Sequence, residues 1–431
     1  MQRRVLAIAY HYPPIQGSSG VHRTLAFSRY LPEFDWDVTV LSAHLRAYKN
    51  QRAENLDLIP PHVRVVRAQA WDTVRHLSIG GQYPRFLALP DRWQTWIAGG
   101  VLAGLRAIRR DGVSAIFSTY PIASAHAIAL VLHRLTGLPW IADFRDPMYQ
   151  ENYPPEPLVR RSYRWLEAQV FRHARTILVT TPGTADYYVR RYGPATRARI
   201  RVVPNGYDPE AFPADLPPPP ARLPAVGDRP LVLLHSGILY PMERDPEPFL
   251  RALASWLASQ PPGADAVRVV FRGSVHGATF QPLVDRLGLG GIVSFPPALS
   301  YREALQEMLG ADALLVFQAD NCNSQIPAKV YEYLYTGKPV IGITDPAGDT
   351  GRLLLDTGVG TVAKLENEAD IRRLLASSIP MLRAGSFPLP DRAAVLALSR
   401  HGRTAELAAA LDEACSPPAA APRVPAPARA P

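Results

Sequence analysis

The densest group of residues with chemical potential lies between Ser324 and Val340. Pro327 suits the first turn of a helix, and Ser324 could cap that helix. Lys329 then lies near the positive end of the helix dipole, where an anion binds favourably. Glu332 follows three residues later on the same helix face. We therefore predict a cation for phosphate and a carboxylate for ribose hydroxyl groups, although an ordinary surface Lys–Glu pair has the same spacing.

Two further loops of the C-terminal half each place a glycine after a predicted strand. Gly237 follows the first of these strands, and Arg244 comes shortly before the next predicted helix. A glycine lets a ligand approach the backbone closely, and the planar guanidinium of Arg244 suits bidentate binding of a diphosphate. Gly273 marks the second loop. Neither loop is specific by itself, but both are compatible with an anion site.

Small residues run into a predicted helix after the first strand of the chain: Gly17, Ser18, Ser19 and Gly20. Exposed backbone N–H groups and the helix dipole would attract an anion there, with Arg23 close by. The alternative is a simple capping turn in which Ser18 or Ser19 is the N-cap. The loop matches neither the phosphate-binding loop of nucleotide triphosphatases nor a G-x-G-x-x-G fingerprint.

The segment Asp143–Pro147 follows another predicted strand and brings two carboxylates and a guanidinium together. Pro147 disfavours a helical continuation at Asp146. One interpretation is an Arg–Asp pair that braces the loop. The other is that Arg145 contacts an anionic or hydroxylated group of a substrate, with Asp146 beside it.

The sequence gives little support for a metal site. Asp35 and Asp37 form a D-x-D pair, but they lie in the turn before a predicted strand, where polar residues are expected. The only cysteines, Cys322 and Cys415, are far apart and form no ligand cluster. We expect no metal and no cofactor. We expect His126, on the apolar face of a predicted helix, to be a structural histidine.

Alternating strands and helices must position these loops. Apolar runs predict N-terminal strands at 5–9, 38–42, 115–118, 140–142, 176–180 and 200–203, and helices at 21–31, 93–109, 123–135, 158–172 and 184–192. The same rhythm predicts C-terminal strands at 231–235, 267–272, 292–295, 313–317 and 340–343, and helices at 246–259, 280–287, 301–310 and 329–336. This alternation predicts an α/β fold with two parallel sheets.

Proline-rich segments divide the chain. We predict five regions: an N-terminal Rossmann-like domain (1–205), a Pro-rich linker (206–229), a C-terminal Rossmann-like domain (230–388), closing helices (389–415) and a disordered Pro/Ala tail (416–431). Parallel sheets bind ligands beyond the carboxyl ends of their strands. We therefore expect the two domains to face a central cleft.

The chain has 431 residues, a net charge of +9 and only four lysines. Because its positive charge is mostly arginine and no lysine-rich stripe occurs, we predict no nucleic-acid partner. No apolar run reaches the roughly 18 residues that a bilayer span needs. The two isolated cysteines favour a reducing, cytoplasmic setting. Arginine and aromatic residues at 91–110 and 158–175 could contact an anionic membrane surface, although a solvated helix face is an equal alternative.

Several of these motifs occur in an order that resembles retaining glycosyltransferases of family 4, which have the GT-B fold and include bacterial capsule, exopolysaccharide and lipopolysaccharide enzymes. The resemblance runs from about residue 3 to residue 412. It is carried by Tyr12-Pro13-Pro14 with Gly17–Gly20 and Arg23, Asp143–Pro147, Pro204–Asp208, Ser236-Gly237 and Ile326–Val340. The last motif, P-x-K-x-x-E-Y-L-x-x-G-K-P-V, is the most specific.

The resemblance implies that the N-terminal domain binds the acceptor and the C-terminal domain a nucleotide sugar. Glu332 matches the second glutamate of the family's E-x7-E motif, which holds the ribose, whereas Ser324 replaces the first. Donor-binding residues are expected at Gly17, Ser18, Ser19, Gly20, Arg23, Gly237, Gly273, Ser324, Gln325, Ile326 and Glu332. The expected catalytic residues are Arg244 and Lys329, which would stabilise the diphosphate, and Arg145 and Asp146, which would orient the acceptor.

The resemblance also implies an activity: metal-independent transfer, with retention, of a sugar from a UDP- or GDP-type donor. The expected acceptor is a glycan or lipid-linked glycan of bacterial surface polysaccharide synthesis. Such an enzyme would be cytoplasmic, with a peripheral contact to the inner membrane as one interpretation. Two alternatives stay open, namely a hydrolysing sugar-nucleotide epimerase on the same fold and a non-catalytic glycan- or anion-binding protein.

Overall fold

The computed structural model describes residues 3–15, 20–151, 153–212, 223–227, 229–261, 267–359 and 361–416. Gly17, Ser18 and Ser19, which the sequence predicts to bind the donor, lie outside these ranges. Residues 213–222 of the predicted linker and residues 417–431 of the predicted tail also lie outside them.

Seven strands form the first sheet: β1 (Arg3–Ile8), β2 (Trp36–Ala43), β3 (Arg64–Ala68), β4 (Ala115–Thr119), β5 (Trp140–Phe144), β6 (Thr176–Val179) and β7 (Ile200–Val202). Their order is β3-β2-β1-β4-β5-β6-β7. Val5 of β1 lies opposite Val38 on one side and Ala115 on the other, and both pairings are parallel. Because the chain runs outward from β1 and then restarts at β4, the switch point of this sheet lies between those two strands.

Six strands form the second sheet: β8 (Leu231–Ser236), β9 (Val267–Arg272), β10 (Val293–Ser294), β11 (Ala313–Phe317), β12 (Val340–Ile343) and β13 (Val362–Ala363). Their order is β10-β9-β8-β11-β12-β13, and the pairings are parallel. The switch point lies between β8 and β11. The loops that follow these two strands contain Gly237 and Ser324, so the topology brings distant predicted site residues to one edge of the sheet.

Fourteen α-helices occur in the described part of the chain. They are α1 (Gly20–Tyr30), α2 (Thr73–His76), α3 (Thr95–Asp111), α4 (Ala123–Thr136), α5 (Pro157–His173), α6 (Pro182–Tyr192), α7 (Glu247–Ala258), α8 (Gly277–Arg286), α9 (Tyr301–Gly310), α10 (Ala328–Tyr335), α11 (Asp349–Asp356), α12 (Glu368–Arg383), α13 (Arg392–Leu396) and α14 (Arg400–Cys415). Helices cover the sheets, which is why strands such as β4, β5 and β11 are buried along their whole length.

The chain divides into two compact units. The N-terminal unit comprises Met1–Phe144, Met148–Leu178 and Ala405–Pro431, and the C-terminal unit comprises Arg145–Pro147 and Val179–Thr404. Helix α14 therefore begins in one unit and ends in the other. Within the N-terminal unit, Asp412 of this helix accepts hydrogen bonds from Arg3 at 2.5 Å and from the indole of Trp36 at 2.8 Å.

The periodicity of the sequence predicted the central strands but missed some peripheral elements. Strand β3 was not predicted, because Arg64 and Arg67 interrupt its short apolar run. It pairs with β2 at the edge of the sheet. Helices α11 and α12 were not predicted either. For β3, α11 and α12, tertiary packing decides the structure, and a local sequence pattern gives no information about that packing.

Candidate functional site

The carboxyl end of β8 is joined to helix α10 by two side-chain contacts. The backbone N–H of Ser236 donates to the hydroxyl of Tyr333 at 2.8 Å, and Lys329 Nζ lies 3.1 Å from His235 Nε2. Gly237 follows these two residues of β8 directly, at φ +127°, and a Cβ atom there would come within 2.6 Å of Lys329 Nζ. Only a glycine accommodates both this backbone conformation and this close approach of the lysine.

The hydrogen bonds of His235 fix which ring nitrogen carries a proton. His235 Nδ1 lies 2.9 Å from the carbonyl oxygen of Leu315, which can only accept, so Nδ1 is the donor. Nε2 is then the acceptor for an N–H of Lys329. The imidazole is 1% exposed, and desolvation together with the charge of Lys329 holds the pKa of His235 well below its ordinary value. His235 is therefore a neutral acceptor that orients the lysine.

Positive charge converges on this point. Desolvation, and then the neighbouring charge of Arg244, hold the pKa of Lys329 well below its ordinary value, while Glu332 acts in the opposite direction. The Arg244 guanidinium donates to the carbonyl of Ile238 at 3.3 Å and lies 5.3 Å from the ring centroid of Tyr240. A ligand with several negative charges would relieve the repulsion between the two cations.

Glu332 is the carboxylate of the same helix, and it is 8% exposed. It accepts a hydrogen bond at 2.7 Å from the hydroxyl of Tyr301, at the start of α9. Burial raises the pKa of Glu332, whereas Tyr301, Arg400 and Lys329 oppose that shift. One carboxylate oxygen is thus engaged by a tyrosine from a separate helix, which fixes the orientation of the group.

The two glycine loops of the C-terminal unit adjoin each other. The N–H of Gly237 donates to the carbonyl of Arg272 at 2.8 Å, and the next residue, Gly273, adopts φ +65°. A Cβ atom at Gly273 would lie 3.2 Å from that of Ala298. Arg272 itself is held by Glu307 at 2.6 Å. The structure therefore brings the predicted residues Gly237, Gly273, Arg244, Lys329 and Glu332 into one neighbourhood of this unit.

The segment before α10 is held through its backbone. The carbonyl of Ser324 accepts from the hydroxyls of Thr181 and Thr184 at 2.6 and 3.0 Å. The carbonyl of Gln325 accepts from the side chains of Gln318 and Thr350 at 3.0 and 2.9 Å. Ile326 is partly buried.

The predicted capping of α10 by Ser324 is wrong, because the N-cap is Pro327 and no side chain caps that helix. Pro327 itself occupies the N-cap position, and Ser324 lies three residues before it, so the serine hydroxyl is not at the position from which a side chain caps the helix.

The N-terminal unit places Arg23 against a buried carboxylate. Arg23, 6% exposed, donates to both oxygens of Asp143, from Nη2 at 2.9 Å and from Nε at 3.2 Å. Thr119, at the end of β4, donates to the same carboxylate at 2.8 Å. Gly20 is the first residue of α1, which carries Arg23. These residues lie at the switch point of the first sheet.

Arg145 and Asp146 belong to the C-terminal unit. Arg145 is partly buried, and its carbonyl accepts from the hydroxyl of Thr180 at 2.7 Å. Asp146 is exposed. A loop-bracing Arg–Asp pair was one interpretation of this segment. The arginine that pairs with Asp143 is Arg23, which lies in helix α1.

Three further residues of the site were missed by sequence reasoning: His235, Tyr301 and Tyr333. His235 had a weak signal, since a histidine inside an otherwise apolar buried strand needs a hydrogen-bond partner. Tyr333 is part of the motif P-x-K-x-x-E-Y-L, but its partner Ser236 is distant in the sequence. Tyr301 had no signal, because its partner Glu332 is distant as well. Within the described ranges no group of three or more His, Cys, Asp or Glu side chains could hold a metal ion.

Two other predictions concern single features. Asp37 of the D-x-D pair accepts from Arg4 at 2.7 Å, and Asp35 lies in a turn at φ +62°. His126 is buried and bonds Ser118 at 2.7 Å. Of the helices in the described part of the chain, none combines the length and apolarity needed to cross a membrane.

Residues 19–206 match the family model of a glycosyl transferase 4-like domain. No curated protein sequence matches the chain. Among solved structures, sucrose-phosphate synthase from Thermosynechococcus elongatus is similar at a TM-score of 0.66 and 15% identity, over 95% of this chain and 98% of that one.

HepE from Anabaena in complex with UDP-glucose has a TM-score of 0.61 at 14% identity, over 95% of this chain and 99% of its own. WaaG, a glycosyltransferase involved in lipopolysaccharide biosynthesis, has a TM-score of 0.54 at 15% identity, over 95% and 98%. At these identities the likeness establishes the fold. The chain has the GT-B fold, and together with the domain match over residues 19–206 these findings support a glycosyltransferase.

Proposed function

We propose that the chain is a metal-independent, retaining glycosyltransferase of bacterial surface polysaccharide synthesis. It would move a sugar from a UDP- or GDP-type nucleotide sugar to a glycan or a lipid-linked glycan. The domain match and the GT-B fold support the reaction class. The UDP-glucose bound by HepE and the lipopolysaccharide role of WaaG support the donor and the pathway class. We also propose a cytoplasmic enzyme with a peripheral membrane contact.

The observation that carries the proposal is the convergence of Arg244, Lys329 and Glu332 at the carboxyl end of β8. Two neighbouring cations, of which Arg244 lowers the pKa of Lys329, form a site for a ligand with multiple negative charges, such as a diphosphate. Glu332 lies one helical turn beyond Lys329 and is oriented by Tyr301. Its second oxygen could accept hydrogen bonds from ribose hydroxyls. This spacing of cation and carboxylate fits a nucleoside diphosphate.

Departure of a nucleoside diphosphate develops negative charge on its β-phosphate while the sugar acquires positive charge. Without a metal, the protein must stabilise that leaving group with its own cations. In this proposal Arg244 and Lys329 do so, and His235 holds Lys329 in place as a positioning residue. Gly237 and Gly273 allow the phosphates to approach the backbone, and Ser324, Gln325 and Ile326 shape the entry to α10.

Residues 17–23 of the N-terminal unit and residues 145–146 of the C-terminal unit would supply the remaining groups. We propose that Gly17–Gly20 and Arg23, which Asp143 holds, frame the sugar and phosphate of the donor. Arg145 and Asp146 would orient the acceptor. An exposed carboxylate and a partly buried guanidinium suit the hydroxyl groups of a glycan, since each binds through directional hydrogen bonds.

The test is a thermal-shift screen of the full chain against UDP, GDP, ADP, CMP and dTDP, followed by product analysis with the matching sugar nucleotide. A ligand at 100 times its Kd adds about 2.7 kcal/mol to the free energy of unfolding. One nucleotide should respond, and transferred sugar should form in the presence of EDTA. A product that is only free sugar or an epimer, or a protein that no nucleotide stabilises, would contradict the proposal.

Arg244→Ala is the matching variant. Loss of a donor to a developing anion costs about 2.7–4 kcal/mol in the transition state, or 10²–10³-fold in kcat. Arg352, an exposed arginine of α11, provides the control, because Arg352→Ala removes the same charge from the same unit. Equal rates for the Arg244 variant and the wild type would refute the assigned role.

A further inference from the structure

Helices α3, α4 and α5 of the N-terminal unit enclose an open apolar groove of about 310 Å³. The apolar residues that line it are Leu89, Pro90, Ile97 of α3, Ala127, Leu130 and Val131 of α4, and Trp165 and Leu166 of α5. Among the described residues that line it, Ser162 has the one hydroxyl group and none is charged. The volume lies at the lower end of the range for ligand pockets.

Helix α4 contributes three apolar side chains to the groove, Ala127, Leu130 and Val131. Leu130 is buried, whereas Ala127 and Val131 are partly exposed. Leu135, one turn beyond Val131, is 62% exposed. Trp165 on the wall is 58% exposed, and Phe86, close in sequence to Leu89, is 67% exposed. The exposed indole of Trp165 thus lines the groove, and two further large apolar side chains near its lining residues in sequence are in contact with solvent.

The rim beside this apolar surface is positively charged. Helix α5 has Arg160, Arg161, Arg164 and Arg172, and its only carboxylate, Glu167, is buried and accepts from the backbone of Tyr149 at 3.1 Å. Arg161 and Arg164 are exposed, and neither makes an ion pair with a described residue. Arg161 lies one turn before Trp165, so a free guanidinium and an exposed indole project from the same side of the helix.

We propose that this groove is a lipid-binding site: an acyl chain of a membrane phospholipid enters the groove while anionic headgroups contact Arg161 and Arg164. The chemistry of the surface selects this occupant. Tryptophan and arginine around an apolar slot match the interface of an anionic bilayer, where indole rings lie at headgroup level. The inference deepens the proposed function, since it assigns the membrane partner to named residues, but it does not depend on the identity of the donor.

The experiment uses the full chain and vesicles of phosphatidylcholine, alone or with phosphatidylglycerol, in a sedimentation assay. Binding should require phosphatidylglycerol and weaken at high salt. A juxtamembrane charge contributes roughly fivefold to binding, so the double variant Arg161→Gln/Arg164→Gln should bind roughly 25-fold more weakly. The control Arg286→Gln/Arg352→Gln removes two exposed arginines from the C-terminal unit and should bind like the wild type.

A second measurement locates the acyl chain. Phospholipids with brominated acyl chains should quench tryptophan fluorescence of the wild type, and most of this quenching should disappear in Trp165→Phe. Nucleotide-induced thermal shifts of all variants should equal that of the wild type, which separates this inference from the proposed donor site. Failure of the wild type to bind anionic vesicles, or equal binding and quenching by the groove variants, would overturn the proposal.

Discussion

Replacement of Gly237 by alanine tests the proposed donor site at the position where Lys329 packs against the backbone. The new Cβ atom would lie 2.6 Å from Lys329 Nζ and 3.2 Å from Cε, so the lysine must leave its position beside His235. The backbone at Gly237 also has φ +127°, which L-residues rarely adopt. Strain of this kind costs about 1–3 kcal/mol and should lower the free energy of unfolding.

The effect on binding follows from the displaced lysine. A hydrogen bond to a charged group contributes about 1.5–3 kcal/mol. If Lys329 can no longer reach the diphosphate, the Kd of the nucleoside diphosphate should rise by roughly 10- to 150-fold, at about 1.4 kcal/mol per factor of ten. Isothermal titration calorimetry with the nucleotide selected by thermal shift measures this change directly.

A double-mutant cycle separates the loss of Lys329 from general damage. On the Lys329→Met background, Gly237→Ala should change the Kd by less than about threefold, because the group it displaces is already absent. Gly291→Ala is the matched control, since its Cβ meets no atom within 4 Å. If the effects of Gly237→Ala and Lys329→Met on binding free energy simply add, the proposed contact does not carry the binding.

Three other predictions concern the same residues and their support. Asp143→Asn leaves the charge of Arg23 buried without its counter-ion and should lower the free energy of unfolding by about 3–5 kcal/mol. Urea denaturation measures this change, and a loss below about 1 kcal/mol would argue against a buried ion pair. Tyr301→Phe removes a hydrogen bond to Glu332 and should raise the Kd of the nucleoside diphosphate about tenfold. The Kd of the 2′-deoxy analogue should rise by a smaller factor, and equal factors for the two ligands would show that the carboxylate does not bind the ribose. A bound diphosphate should raise the lowered pKa of Lys329, so binding should take up a proton. The affinity for the nucleoside diphosphate should therefore fall as pH rises from about 7 to 9, above the phosphate pKa of about 6. Calorimetry should give a smaller slope of affinity against pH for Lys329→Arg, and equal slopes would exclude the lysine as the titrating group.

The sequence predicts the repeating α/β architecture well, because the local spacing of apolar residues indicates which segments are strands and which are helices. The central strands β1, β8 and β11 are short β-branched or aliphatic runs, and the loops after them contain polar residues, with glycines after β1 and β8. In the observed strand order, Gly237 and the segment before α10 lie at one switch point. The strand order therefore explains why these two loops lie close to Lys329.

The details of the site depend on contacts between distant residues, which periodicity does not show. Tyr301 and Glu332 lie on separate helices, and their hydrogen bond appears only in the folded unit. The same holds for Arg23 and Asp143, whose pairing joins helix α1 to strand β5. The cap of α10 was mispredicted for a local reason, since Pro327 takes the position that was expected for a serine.

Photoaffinity labelling tests the central claim most directly. An azido-substituted nucleoside diphosphate sugar, with the base chosen by thermal shift, is bound to the full chain, irradiated and mapped by mass spectrometry. Labelled peptides should come from the C-terminal unit, within residues 235–244, 296–301 or 324–335, and excess unmodified nucleotide should abolish the labelling. Competed labels that fall only in the N-terminal unit, or labelling that Lys329→Met leaves unchanged, would contradict a nucleotide site at this edge of the second sheet.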